Sequence, residues 1–496
     1  MSGIILNEDC TNFFMLRSEE EVMSNLTELT EHYCRGDVKE IMLNTGANVT
    51  SYASNVRERC WENVEFRGER IFFQNREIAL AEQPTIYRWL KHTKMLADAG
   101  IDPYAIWIAD IRKRGRSPWI SLRCNDAHNT PDLDHPLHSK FWREHPELWR
   151  VTYRTMESLW AERAYDFAHP VIQQNLLAWV GETLTRYDLD GIEMDWMRFG
   201  YHFRPGFEPE GREILTAMHR SIRQMADEAA KRLGHPVKVS ARVPGRPEDA
   251  FELGYDPVRW VREKLVDILT PCPFFSSTDT AIPVAFWREI LGDEVILAPG
   301  IEVLVRPTNY EKIIRTTNAI AMGQATNFLS QGADRIYLFN FFDRYEYQRS
   351  NMESLAEVLD NAGTLEKCAA HARRHCITYP DTRAPGNPEG NRLPVTVNKF
   401  PSESMRFAIG PAPGKERKAY VILGFEQTHY NQMKLFLNGV QLQETAEFPD
   451  DQNTRVFPMR RAWLADGTAK NGDNLVEVHN LDKEPFVVRW AEIQIL

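Results

Sequence analysis

No CxxC pair and no Cys/His ligand spacing occurs among the seven cysteines, at 10, 34, 60, 124, 272, 368 and 376, which argues against a structural zinc site. Their odd number and wide scatter predict reduced thiols in a cytoplasm rather than a secreted disulfide framework. The opening MSGIILNEDCTNFF lacks a basic stretch followed by an apolar one, and no apolar run approaches membrane-spanning length. The expectation is a soluble chain with no membrane partner, periplasmic or secreted only if a signal peptide has been removed. The formal net charge is −11, yet no long run of one sign appears, so no nucleic-acid partner is expected. No Gly-rich phosphate loop follows the first β-rich run, which weakens an open dinucleotide-binding sheet, and no cofactor motif is present.

What is present is a regular alternation. Short β-rich runs fall at Gly3–Asn7, Glu40–Asn44, Trp119–Arg123, Gly191–Trp196, Val237–Arg242, Val266–Thr270, Val295–Gly300 and Arg335–Asn340. Amphipathic segments lie between them, among them Ser18–Tyr33, Thr85–Ala99, Pro170–Arg186, Gly211–Leu233 and Asn309–Gln331. Ser18 before three glutamates reads as a helix N-cap with acids at the positive end of the dipole. Strand–helix alternation predicts a parallel sheet, and eight such units match a (β/α)8 TIM barrel, an α/β fold, over residues 1–376. Residues 377–393, rich in Pro, Gly and Asn, read as a linker. From 394 to 496 the pattern is β only, with a tight-hairpin signal at Asn438-Gly439, and predicts a smaller all-β sandwich of jelly-roll type.

In such a barrel the chemistry gathers at the C-terminal ends of the strands. There the sequence supplies Asn7, Glu8 and Asp9, then Asn44, then Arg123, Asn125, Asp126 and His128. It continues with Glu193, Asp195, Arg198 and His202, then Arg242, Glu302, Arg306, Asn340 and Asp343. Glu193 and Asp195 are two apart and share one face of their strand, the interior. Two interior carboxylates repel, so one should hold a proton near neutral pH, as a general acid must. Asp195, nearer the open end, is the expected acid, with Glu193 tuning it from one layer below. Glu302, across the mouth, is the expected second carboxylate of a glycosidic cleavage, with Glu8, Asp9 and Asp126 as substitutes. The competing reading pairs these acids with neighbouring arginines and gives them no chemistry.

These motifs carry a resemblance. DGIEMDW, with FAHP before it, RIYLFNFF at the last strand, NEDCTNFF at the start and SKFWREHPELWR after the third strand, resembles the family-10-like glycosyl hydrolases of polysaccharide-degrading bacteria over most of residues 1–345. The resemblance implies a barrel hydrolase acting on an oligo- or polysaccharide. DGIEMDW is also similar to the DGxDxDxE strand of family-18 chitinases, but Glu193 replaces the second Asp and Met197 stands at the position of the catalytic Glu. A chitinase mechanism through that Glu is therefore excluded.

Arg123, Arg198, Arg204, Arg242, Arg246 and Arg306 near strand ends suggest a uronate or sulfated glycan, since guanidinium binds both in paired fashion; alternatively they neutralise the site's own acids. Trp196, Phe199, Tyr201, Phe274, Phe275, Trp287 and Phe342 are candidate sugar platforms, of which one or two are expected to serve. Asn125, His128, His202 and Asn340 complete the expected substrate-binding set. His128 and His202 lack metal-ligand spacing and are expected to hydrogen-bond, so no metal is expected. The C-terminal unit resembles galactose-binding-like jelly rolls in LFLNGVQL and NGDNLVEVHN, and is expected to pack against the barrel. Long loops at 45–84 and 124–169 would wall a pocket for exo attack, or join subunits of a homo-oligomer. The rivals are a carbohydrate-binding protein with a dead site and a metal-dependent barrel hydrolase or lyase.

Overall fold

The computed structural model describes residues 2–9, 11–73, 75–78, 83–153, 161–341, 352–429, 431–447, 457 and 459–496. Its centre is a nine-stranded parallel sheet. The strands are β1 (Ile4–Glu8), β2 (Val38–Asn44), β3 (Ser117–Arg123), β4 (Gly191–Asp195), β5 (Lys238–Pro244), β6 (Ile268–Cys272), β7 (Ile296–Leu297), β8 (Gly300–Glu302) and β9 (Ile336–Phe339). Their order across the sheet is β7-β6-β5-β4-β3-β2-β1-β9-β8. The edge strands β7 and β8 are separated along the chain by Ala298 and Pro299 alone. Ala298 donates its amide to Leu269 on the β6 side, while Tyr337 on β9 donates to Pro299.

Side chains alternate across this sheet with period two. Ile4, Leu6, Ile41, Leu43, Ile120, Leu122, Ile192, Met194, Val239 and Ala241 join the large cluster under the helices. The opposite parity turns Ile5, Met42, Trp119, Ile268, Ala298, Tyr337 and Phe339 into a second, smaller cluster on the inner face. Gly191 is required there, because a Cβ at that position would collide with the Trp119 ring. Helix α1 (Pro170–Arg186) starts with proline at its first turn and buries Ile172, Leu176, Trp179, Val180, Thr183 and Leu184, an apolar stripe at helical spacing. Helix α2 (Glu208–Leu233) stops at Gly234, whose φ of 79° supplies the left-handed C-terminal cap.

Three expectations from sequence change. The segment 18–33 is two helices, Glu19–Ser24 and Glu28–Tyr33; Ser18 forms a capping box with Glu21, and the break falls at Asn25. The helix expected over 309–331 begins only at Asn318, as α3 (Asn318–Ser330), because Ile314–Arg315 instead pairs antiparallel with Leu304–Val305. Residues 45–84 contain a three-stranded sheet, Val64–Arg67, Arg70–Phe73 and Arg76–Glu77, rather than loop alone.

The later residues build two antiparallel sheets, of six and four strands. Leu435, Leu437, Val476 and Val478 from the smaller one share a buried cluster with Val421, Leu423, Ile493 and Ile495 from the larger. Asn438 and Gly439 turn the expected hairpin with φ of 53° and 81°. Arg373–Cys376, assigned to the barrel unit by sequence, pairs with Phe486–Ile495 of the larger sheet. The segment read as a linker is fastened: the Asp381 carboxylate accepts the amides of Phe274, Phe275 and Ser276, each at 2.8 Å. No helix among the described residues is long and apolar enough to cross a membrane.

Candidate active site

The register of β3, β4 and β5 places Arg123, Asp195 and Arg242 side by side as Cα partners, with Ser121, Glu193 and Ser240 one layer below. All six point inward. Asp195 is fully buried; its Oδ2 accepts from Arg242 Nη1 at 2.8 Å, and its Oδ1 accepts the amides of Met197 and Arg198 at 3.1 and 3.0 Å. The acid expected to carry the reacting proton is thus an ion-pair partner. Arg242 itself lies over the Phe339 ring, 4.0 Å from its centroid.

The proton-retaining member of the strand pair is Glu193. Burial, aided by the Asp195 charge, raises it to about 7 against the pull of Arg242. Tyr337 donates its hydroxyl to Glu193 Oε1 at 2.7 Å. Tyr337 was missed from sequence, although its inward parity with Phe339 was legible.

Glu302 closes β8, and burial raises it to about 8 against the attraction of Arg198. Asn340 Nδ2 donates to its Oε1 at 3.0 Å and the Val303 amide to its Oε2 at 2.9 Å. Asn340 adopts φ of 61°, a left-handed conformation that asparagine tolerates better than most residues. It stands between Glu302 and a cavity of 330 Å³ that Asn340 lines together with Asp9, Arg123, Asp126, His128 and Arg198. This cavity lies at the C-terminal ends of the strands, where the sequence reading placed the site.

The charges around the cavity are sorted. Burial would raise Asp9, but Arg123, whose Nη2 donates to its Oδ2 at 2.6 Å, holds it at about 2. Burial opposes ionisation of Asp126 as well, and hydrogen bonds from the His128 ring and amide, with the charge of nearby Arg123, keep it below the usual carboxylate range. Asp126 and His128 Nδ1 are 2.8 Å apart, while Arg198 Nη2 lies 2.9 Å from His128 Nε2. Arg198 can only donate, so Nε2 accepts, and the proton sits on Nδ1 facing Asp126. Burial lowers His128, consistent with a neutral ring. Arg198 is itself lowered to about 10 by burial and by Arg123. Its guanidinium rests on Phe275, 4.6 Å from the centroid, with Phe199 and Phe274 farther off. Phe199 holds φ of 69° to bring its ring edge-on to His128, an uncommon conformation of the kind that gathers at functional sites.

Other expected site residues lie elsewhere. Glu8 has the outward parity of β1 and accepts from Asn12 and the Tyr33 hydroxyl. Trp196 is fully buried and donates to His219, and Trp287 donates to Gly245, so neither is a sugar platform. His202, lowered to about 3 by burial, contacts the Trp196 carbonyl and Asn125. Asn125 is thereby committed to the loop, donating also to the Tyr165 carbonyl. Tyr201 donates to the Arg383 carbonyl, and Arg306 joins Ser277 through its backbone rather than lining the cavity. Arg204 and Arg246 pair with Asp166 and Asp279. Phe342 and Asp343 lie outside the described residues. Asn48, Asn129 and Trp89 line the cavity without having been singled out, since they come from loops and a helix with no periodic signal.

No protein-family model matches the chain, so the family-10-like resemblance rests on the sequence motifs alone. No curated protein matches it either. Among solved structures it is similar to α-L-fucosidase isoenzyme 2 from Paenibacillus thiaminolyticus, 13% identical over 75% of this chain and 51% of that one, with a TM-score of 0.43. This chain therefore spans about half the length of that fucosidase. It is also similar to the PgaB (BpsB) glycoside hydrolase domain from Bordetella bronchiseptica, 11% identical over 72% of this chain and 98% of that one, TM-score 0.43. A third is chitinase ChiA74 from Bacillus thuringiensis, 7% identical over 98% of this chain and all (100%) of that one, TM-score 0.40.

Proposed function

We propose that the chain is a glycoside hydrolase, built on a (β/α)8 barrel whose sheet closes through the run Ile296–Glu302 and followed by a β-sandwich. One observation carries the activity. Asp9, in the wall of the cavity, is held ionised at about 2, while Glu302, behind Asn340 of the same wall, keeps its proton near neutral pH. Carboxyl groups driven apart in this way are what acid–base cleavage of a glycosidic bond needs. In this reading Glu302 protonates the departing sugar oxygen once Asn340 turns aside. Asp9 receives the proton of the attacking water. Asp195 and Glu193 act through others: the first aims Arg242, the second holds Tyr337.

The substrate proposed is an anionic glycan. Arg123, Arg204, Arg242 and Arg246 each pair with an acid of the chain, which satisfies them internally. Arg198 instead meets His128 and the Phe274 carbonyl, both uncharged, while lining the cavity. A substrate carboxylate or sulfate would complete it.

A second reading is a carbohydrate-binding protein without turnover, favoured by the near-complete burial of Glu302, 1% exposed. The decisive experiment incubates the full chain and its Glu302→Gln variant with neutral, uronic and sulfated oligosaccharides and reads products by mass spectrometry. Shortened products from the wild type and none from the variant are expected. Binding without products would select the second reading, and equal turnover by the variant would remove Glu302 from the mechanism.

A further inference from the structure

A second cavity, of 280 Å³, adjoins the first, and Asn48 lines both. Its walls are the loop after β2, the loop that carries Ser139 and Tyr165, and helix α1 at Asn175 and Leu176. Arg57 is its notable member. The guanidinium lies flat on Trp179, 4.1 Å from the ring centroid, and donates from Nη1 to the Ala47 carbonyl. Its Nε is buried with no partner. Among the described residues no carboxylate lies within salt-bridge distance of Arg57; burial lowers its guanidinium from the ordinary arginine value, and its titratable neighbours Tyr165, Tyr52 and Cys124 are neutral near pH 7.

Arg57 is half-buried, with its Nε shut off from solvent; a cation drawn partly out of water without an anion is costly, and proteins pair such groups or offer them to a ligand. The nearest acid in the cavity wall, Glu58, is turned the other way, accepting from the Lys140 amide and Asn63. Glu182 is likewise occupied by Tyr52, Ser54 and the Asn55 amide. Arg57 is therefore held in place by stacking and one carbonyl, its Nε is left over, and Glu58, the one acid among the described residues of the cavity wall, spends its carboxylate on Lys140 and Asn63.

We propose that this second cavity is an anion-binding subsite, in which Arg57 receives the carboxylate or sulfate of a second sugar unit while Arg198 receives that of the first. The inference rests on the reading of the first cavity as a glycan site, and it adds that the ligand carries negative charge on at least two units. Asn48, which lines both cavities, is fixed there by donating its side-chain amide to the Asp126 carbonyl.

The test compares affinities of the full chain for galacturonate and digalacturonate by calorimetric titration, with cellobiose as the neutral control. Charged hydrogen bonds to a half-buried arginine predict about tenfold tighter binding of the disaccharide. Arg57→Gln should erase that advantage, and Arg57→Lys should restore part of it. Because Arg57→Gln disturbs packing on Trp179, a second variant is needed. Asn175→Trp, at the exposed rim of the cavity, fills it while leaving Arg57 and Trp179 in the chain, and should erase the same advantage. Equal affinity for the two uronates in the wild type, or an advantage that survives both variants, overturns the subsite. Failure of the hydrolase reading shows separately, as wild-type binding without products.

Discussion

Replacing Glu302 with glutamine should change how stability depends on pH, in a direction set by the burial of its carboxyl. The carboxyl is ordinary in the unfolded chain, near 4.5, and burial raises it to about 8 in the folded one. Between these values the folded state binds the extra proton, so folding is progressively disfavoured as pH rises. Below 4.5 the two states are protonated alike, and above about 8 the full penalty has accrued. At roughly 1.4 kcal/mol per pH unit the penalty amounts to about 3 kcal/mol at pH 7 and about 5 kcal/mol above pH 8. Glutamine does not titrate and fits the same contacts: its oxygen accepts the Val303 amide, and Asn340 can turn its own oxygen to the new amide. The assay is denaturant unfolding of wild type and Glu302→Gln from pH 4 to 9, followed by circular dichroism. The variant should gain on the wild type by about 1.4 kcal/mol per unit from pH 5 to 8, then run parallel to it. Glu193 titrates in both proteins and cancels in the difference. Parallel curves throughout would refute the buried, protonated Glu302. The same proton governs the proposed catalysis, so kcat/KM should fall as pH passes about 8.

Two further outcomes test the frame around the site. Arg242→Met should destabilise the fold by about 3–5 kcal/mol in chemical denaturation, because Asp195 is left buried without its ion pair; the double variant with Asp195→Leu should recover most of the loss. Gly191→Ala should cost about 1–3 kcal/mol through collision with Trp119, and pairing it with Trp119→Phe should lessen the cost.

The eight β-rich runs were legible because each keeps apolar, largely β-branched residues on one parity while its flanks turn polar. Strand parity also disclosed that Glu193 and Asp195 both point inward. It did not disclose which one keeps a proton, since that depends on Arg242 from the next strand and Tyr337 from across the sheet, contacts set by the tertiary fold. Glu8 shows the other side of the same rule. Its parity follows Ile4 and Leu6, so it faces the helices, and its place at a strand end misled the sequence reading. The segment 309–317 misread as helix holds Tyr310, Ile313 and Ile314 at helical spacing, yet Ile314 and Arg315 find strand partners in Val305 and Leu304. Trp196 was attractive as a platform because it follows the acid pair, but the chain turns there and sends the indole under the helices to His219.

The Asp381 contact sets where this chain can be cut and rejoined. Its carboxylate accepts three successive amides of 274–276, and those residues bring Phe274 and Phe275 to Arg198. The stretch 377–393 is therefore a strut at the edge of the cavity as much as a tether for the sheets beyond it. Anyone recombining these units, or trimming the chain to the parallel sheet and its helices, must place the seam after this stretch, or the aromatic bed of the arginine is lost with the graft.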